Sequence, residues 1–124
     1  SMAAARATLE EVLTEENFEH MIRMGERFET GVQEVIDEFN LEWTVTRLGC
    51  RVEYMLGAER PRSGAEAAAS FDTGLDALLH LYMMNRGILM TPFHMMALMC
   101  PATTEADVDA HTEVLREAAQ ELMG

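Results

Sequence analysis

The spacing of apolar residues changes once, near residue 40, and that change does most to limit what this chain can fold into. From Glu15 to Phe39, the residues Phe18, Met21, Ile22, Gly25, Phe28, Val32, Val35, Ile36 and Phe39 recur every three or four positions. That is the period of one buried helix face. Thr14 supplies a capping hydroxyl, and Glu15 and Glu16 place carboxylates where the helix dipole is positive. The spacing predicts a long amphipathic helix over residues 15–39. Gly25 and Gly31 each weaken it by up to about 1 kcal/mol relative to Ala, so they mark close packing or a break near Gly31. From Glu42 the period falls to two. Glu42-Trp43-Thr44-Val45-Thr46-Arg47 alternates β-branched or aromatic residues with polar ones. After Leu48-Gly49, a second run sets Cys50, Val52, Tyr54 and Leu56 on one face, with Arg51 and Glu53 pointing the other way. The two runs read as an antiparallel hairpin. A helix of this length followed by a hairpin excludes a pure bundle and a pure β-sandwich.

The remaining segments fit around this pair. Thr8-Leu9-Glu10-Glu11 has the capping-box pattern and predicts a short helix through Leu13. Ser1-Met2 reads as a residue left by cloning followed by a start codon, so residues 1–14 are taken as tag remnant plus connecting helix and 15–124 as the domain. Gly57 to Gly64 is turn-like, and Ala65–Ala69 is helix-prone. Asp72 or Thr73 can cap a helix carrying Leu75, Leu78, Leu79 and Tyr82 on one stripe. Arg86, Gly87 and Ile88 have the chemistry of its C-terminal turn. Met95 to Met99 lacks alternation and is too short for a helix, so it reads as a strand buried on both faces. Thr103 or Thr104 caps a final helix with Val108, His111, Leu115, Ala118 and Leu122 inward. The expected fold is α+β: a small antiparallel or mixed sheet of about three strands with helices packed on one face.

Charge and composition narrow the function. The 124 residues carry 22 acidic and 9 basic side chains, a net charge of −13, and every basic residue is Arg. This field repels nucleic acid and anionic membranes, so neither is an expected partner. No apolar run has the length of a transmembrane helix, and the start turns acidic at Glu10, unlike a signal peptide. Cys50 and Cys100, read within apolar strands, do not form a secreted-type framework. A reduced, cytoplasmic setting follows. Among His20, His80, His94 and His111 no two have helix-adjacent spacing, and there is no CxxC, so no metal site is expected. His94 differs from the other three in lying in a loop, Thr91-Pro92-Phe93-His94, where ligand contact competes with a structural role. Six of the eleven methionines fall between Met83 and Met99, suited to core filling or to an adaptable interface. No two carboxylates are placed as an acid/base pair. The residues alone give a fold class and no catalytic residue.

The segment Asn85–Thr104 (NRGILMTPFHMMALMCPATT), with Glu105-Ala106-Asp107-Val108-Asp109 after it, resembles class III PLP-dependent aminotransferases, most closely the glutamate-1-semialdehyde aminomutase-like branch. The resembling features are Arg86-Gly87, the Leu89-Met90-Thr91-Pro92 turn, the Met95–Met99 strand and the Thr104-Glu105-Ala106-Asp107 helix start. The Ala/Leu/Glu-rich opening, the long helix and the Thr46-Arg47-Leu48-Gly49 hairpin step match in the same order. The resemblance implies the small C-terminal domain of a fold-type I enzyme, with PLP held by a lysine in a large catalytic domain of the same polypeptide. A chain without lysine cannot form that bond, so no PLP is expected on this fragment and it is expected to be inactive alone. The parent would be a homodimer acting on a small-molecule amino substrate. Many members carry an Arg on the strand corresponding to Met95–Met99; here Ala97 stands near that place. The resemblance therefore leaves Thr91, His94 and Met96 as the pocket-wall residues. The alternative is a stand-alone α+β interaction or dimerisation module that shares only the fold.

Overall fold

The computed structural model of the chain describes residues 1–91 and 94–124. Helix α2, Glu15–Phe39, is continuous for 25 residues, about 37 Å at 1.5 Å per residue. Thr14 caps it by accepting from the Asn17 amide at 3.3 Å, and Asn40 ends it in the left-handed conformation. Gly31 does not break it. A Cβ there would meet Thr112 Oγ1 of the last helix at 2.4 Å, and one at Gly25 would lie 3.1 Å from the Gly49 carbonyl of the hairpin turn. Both glycines therefore let another element approach the α2 backbone, which is why their helix-propensity cost is tolerated.

Strands β1 (Thr44–Leu48) and β2 (Arg51–Met55) form the expected hairpin, with Val45 opposite Tyr54 and Arg47 opposite Val52. Gly49 takes the positive φ that its tight turn needs. Strand β3 (Met96–Leu98) adds antiparallel to β2, giving the order β1-β2-β3. Helix α5 (Glu105–Met123) lies along α2 and touches α4 (Thr73–Met84), and α2 lies across β1 and β2. Val45, Val52 and Tyr54 meet Met21, Met24, Phe28, Val32, Leu79, Met83 and Leu115 in one core. The α5 cap is a full capping box, Thr104 with Asp107. Asp72 caps α4 through the amides of Gly74 and Leu75, and Gly87 ends the α4 segment with φ +82. Ser63 caps the short helix α3, Gly64–Ala69. The fold is the α+β arrangement expected from the sequence.

Four local expectations change. The run Met95–Met99 is not buried on both faces: β3 is a three-residue edge strand and Leu98 is exposed. On α4 the inward stripe is Asp76, Leu79 and Met83, so Leu78 points to solvent. At the end of α5, Leu122 is exposed. The capping box at Thr8 does not form. Helix α1 already runs over Met2–Ala7 and continues through a π-helical turn, Thr8–Val12. Inside that continuous run Thr8 Oγ1 donates back to the Ala4 carbonyl, and no residue of the run is buried.

Candidate functional site

Strand pairing divides the sheet's side chains between two faces. Val45, Arg47, Val52, Tyr54 and Ala97 face the helices. Thr44, Thr46, Leu48, Arg51, Glu53, Met55, Met96 and Leu98 lie on the opposite face, away from α2 and α5. The polar residues of that face are linked. Arg51 Nη2 donates to Glu53 Oε2 at 2.6 Å, its Nε meets the Met96 sulfur, and Glu53 Oε1 lies 3.1 Å from His94 Nδ1. One carboxylate thus bridges a guanidinium on its own strand and an imidazole that enters from the segment before β3.

The three residues expected at a pocket wall are held in different ways. Thr91 Oγ1 donates to the Met96 carbonyl at 3.0 Å, so these two are brought together. Both line a cleft of ≈ 580 Å³ that also takes in Ile88, Met90, Leu98 and Val108. His94 instead lines a neighbouring cavity of ≈ 680 Å³ between β2, the Pro61–Asp72 segment and Asp76. Pro92 and Phe93, from the expected 91–94 loop, lie outside the described residues. Arg51 and Glu53 connect the two groups, since Arg51 touches Met96 while Glu53 holds His94. Sequence reasoning had placed Arg51 and Glu53 only as outward-pointing strand residues. Their outward alternation was the available signal; the pairing with His94 was not visible.

A histidine clamp sits behind this wall. His80 Nδ1 contacts the Asp76 carbonyl at 2.9 Å and its Nε2 contacts the Thr91 carbonyl. Two carbonyl acceptors suit an imidazolium, which donates from both nitrogens. Burial opposes the charge, but the Thr91 and Asp76 carbonyls and the Asp76 carboxylate outweigh it and raise the His80 pKa. His111 behaves oppositely. It is buried against the Phe28 ring, with centroids 4.2 Å apart, and desolvation lowers its pKa to about 3. Its Nε2 is 3.3 Å from the Tyr54 hydroxyl, which burial holds in the protonated form, and its Nδ1 has no partner among the described residues. His20 Nε2 bonds the Thr103 carbonyl at 2.8 Å and ties α2 to the turn before α5. Cys50 lies in the hairpin turn and Cys100 is exposed beyond β3, so neither is the strand-buried thiol expected from sequence. The Thr103 hydroxyl lowers the Cys100 pKa. Among the described residues no three His, Cys, Asp or Glu side chains are grouped to hold a metal ion. Among the described residues no helix is long and apolar enough to cross a membrane.

The chain has no lysine side chain, the group with which an enzyme holds PLP as a Schiff base. What the geometry provides is a one-sided sheet whose bare face carries a charged network flanked by two cavities.

No family model matches the chain. Its curated relatives include the glutamate-1-semialdehyde 2,1-aminomutase of Thermus thermophilus, 34% identical over 122 residues, covering 95% of this chain and 28% of that protein. A second such enzyme, from Halalkalibacterium halodurans, is 28% identical over 123 residues, covering 98% of this chain and again 28% of the relative. Among solved structures, a glutamate-1-semialdehyde aminomutase from Pseudomonas aeruginosa in complex with PMP superposes with a TM-score of 0.94 at 48% identity, over 97% of this chain and 26% of that one. A β-phenylalanine aminotransferase from Variovorax paradoxus, 23% identical with a TM-score of 0.84, shares the fold. The chain therefore spans little more than a quarter of the length of these relatives. It is homologous to the C-terminal 26–28% of glutamate-1-semialdehyde aminomutases and class III aminotransferases.

Proposed function

We propose that the chain is the small C-terminal domain of a cytoplasmic, PLP-dependent class III aminotransferase of the aminomutase-like branch. Its parent moves an amino group between an amino donor and an oxo acceptor and works as a homodimer. The observation that carries this reading is the bare sheet face: a sheet covered on one side only is half of a layered domain, in a chain matching just 26% of its Pseudomonas relative. On this reading the missing layer is the large catalytic domain. Thr91, His94 and Met96 then form part of the substrate-side wall, with Arg51 and Glu53 holding two of them in place. The reactive lysine belongs to the large domain, so the isolated chain neither binds PLP covalently nor turns over an amino substrate.

The gene upstream of Ala3 tests the parentage. A lysine-bearing large domain in the same frame is expected; a native start at Met2 would instead favour a free-standing interaction module. The second test is chemical. Purified chain mixed with PLP is expected to show no visible absorbance band that survives dialysis and is discharged by borohydride. Appearance of that band would overturn the reading of this chain as the lysine-free half of the enzyme.

A further inference from the structure

His80 ties the segment before β3 to helix α4, and the tie depends on the charge of its ring. Nδ1 lies 2.9 Å from the Asp76 carbonyl and Nε2 contacts the Thr91 carbonyl. A neutral imidazole has a single N–H, so one nitrogen would turn a lone pair toward a carbonyl oxygen; only the imidazolium donates to both. Thr91 passes the tie on. The main chain of Met95 and of Met99 bonds β2, which turns the Met96 carbonyl to the opposite edge of β3. There it accepts from the Thr91 hydroxyl at 3.0 Å. Met90, next to Thr91 in the chain, is 6% exposed.

Few other charges bear on this contact. On α4 itself the Asp76 carboxylate lies 3.4 Å from Nδ1. On β2, Glu53 is taken by Arg51 and His94, and Tyr54 is buried and un-ionised. On α5, which touches α4, Glu117 and Glu121 pair with Arg86, and His111 faces Tyr54.

We infer that His80 is a positioning residue: as the imidazolium it pins Thr91, and through it the edge of β3, and on losing its proton it releases residues 88–91. Its raised pKa sets the change above 6.5, so the tie is complete below that value and is lost as pH rises through the folded one. The latch is built from groups of this chain alone. That the residue it pins belongs to a substrate wall rests on the proposed function, and on that reading the shape of the wall follows pH.

The test uses methionines of the 124-residue chain as reporters. Hydrogen peroxide transfers one oxygen to an accessible thioether, giving the sulfoxide and water. Met90 reports release of residues 88–91. Met123, 61% exposed, gives the reference rate at each pH, and Met24, buried in α2, reports wider unfolding. Peptide mass spectrometry follows all three, and histidine NMR locates the His80 midpoint. From about pH 5.5 to about pH 8 the Met90 to Met123 rate ratio is expected to rise at least about threefold, centred on the His80 titration, while Met24 stays protected. His80→Gln should hold the ratio at one level. Asp76→Asn, which removes the carboxylate but keeps the carbonyl, should move the midpoint to lower pH, and His94→Gln should leave the rise in place. A flat ratio in the unaltered chain, a rise that Met24 shares, or a rise that survives His80→Gln would each overturn the proposal. Failure here leaves the gene-context and borohydride tests standing. Failure of those leaves the latch standing and withdraws only its place at a substrate wall.

Discussion

The two faces of one three-stranded sheet differ sharply. On the helix side Val45, Val52 and Tyr54 are 3%, 0% and 1% exposed; on the other side Leu48 and Leu98 are 77% and 62% exposed. These residues lie in one sheet, Val45 and Leu48 on the same strand, so neither strand propensity nor backbone geometry separates them. What differs is the next layer. The inner face meets α2, with α5 behind it, at glycines that let the elements close up; the outer face leaves Leu48 and Leu98 to solvent. An exposed Leu is unremarkable singly. Leu48 and Leu98 on one sheet face, beside the half-buried Met55 and Met96 and the charged network, mark a surface built to be covered.

If that contrast is right, the largest effects come from the covered face. Val45→Asp places an unpaired carboxylate under α2 and is expected to cost more than about 4 kcal/mol, enough to unfold most of the chain. Urea denaturation followed by circular dichroism measures this. A loss below about 1 kcal/mol would mean that the core is wetter than its burial implies.

The next effect is a pH dependence with opposite signs at two histidines. His111 stays neutral in the fold down to about pH 3, whereas in the unfolded chain it takes up a proton near 6.5. The unfolded state therefore binds more protons as pH falls below 6.5, and stability drops by up to about 1.4 kcal/mol per pH unit in that window. His80 has the reverse linkage. Its raised pKa gives stability that is complete below 6.5 and is lost as pH rises through the folded value. Melting curves between pH 4 and pH 8, for example, should show His111→Leu flattening the acid limb whatever it costs at neutrality, and His80→Gln flattening the limb above 6.5. An acid limb unchanged in His111→Leu would assign it to carboxylates instead.

How much of this was legible beforehand follows the same division. Features set by local chemistry were readable: the Thr14 cap, the 25-residue helix, the hairpin alternation, the Thr104 and Asp72 caps and the left-handed Gly87. So was the family, from the order of the motifs through Asn85–Thr104. What failed was the orientation of elements that are apolar all round. From Leu75 to Met84 helix α4 offers hydrophobic residues on every side, so the pattern does not say that Asp76, Leu79 and Met83 face inward. The run Met95–Met99 has no alternation, so only the structure reveals that Leu98 is exposed. Thr8 has a capping sequence, but whether it caps depends on whether the helix has already begun at Ser1. The Arg51–Glu53–His94 chain was out of reach for another reason. His94 and Glu53 are 41 positions apart and meet only because β3 returns beside β2.

The smallest effect gives the comparison its most direct check. Leu48 lies on β1 with Val45, three positions along and on the bare face, opposite Arg51. Leu48→Asp puts the same carboxylate into the same strand, but in water and beside a guanidinium. In the isolated chain it is expected to change stability by no more than about 0.5 kcal/mol, as surface substitutions usually do. Sedimentation velocity supplies the second readout. The bare face should drive weak self-association of the isolated chain at high concentration, and Leu48→Asp should shift it toward monomer. If Leu48→Asp unfolds the chain, the outer face contributes to folding on its own account and the two faces are not opposites. If the wild-type chain is strictly monomeric at every concentration, the exposed leucines are ordinary surface residues. A stable variant with reduced association is the combination that the one-sided sheet predicts, because charge on that face then opposes only contacts with another molecule.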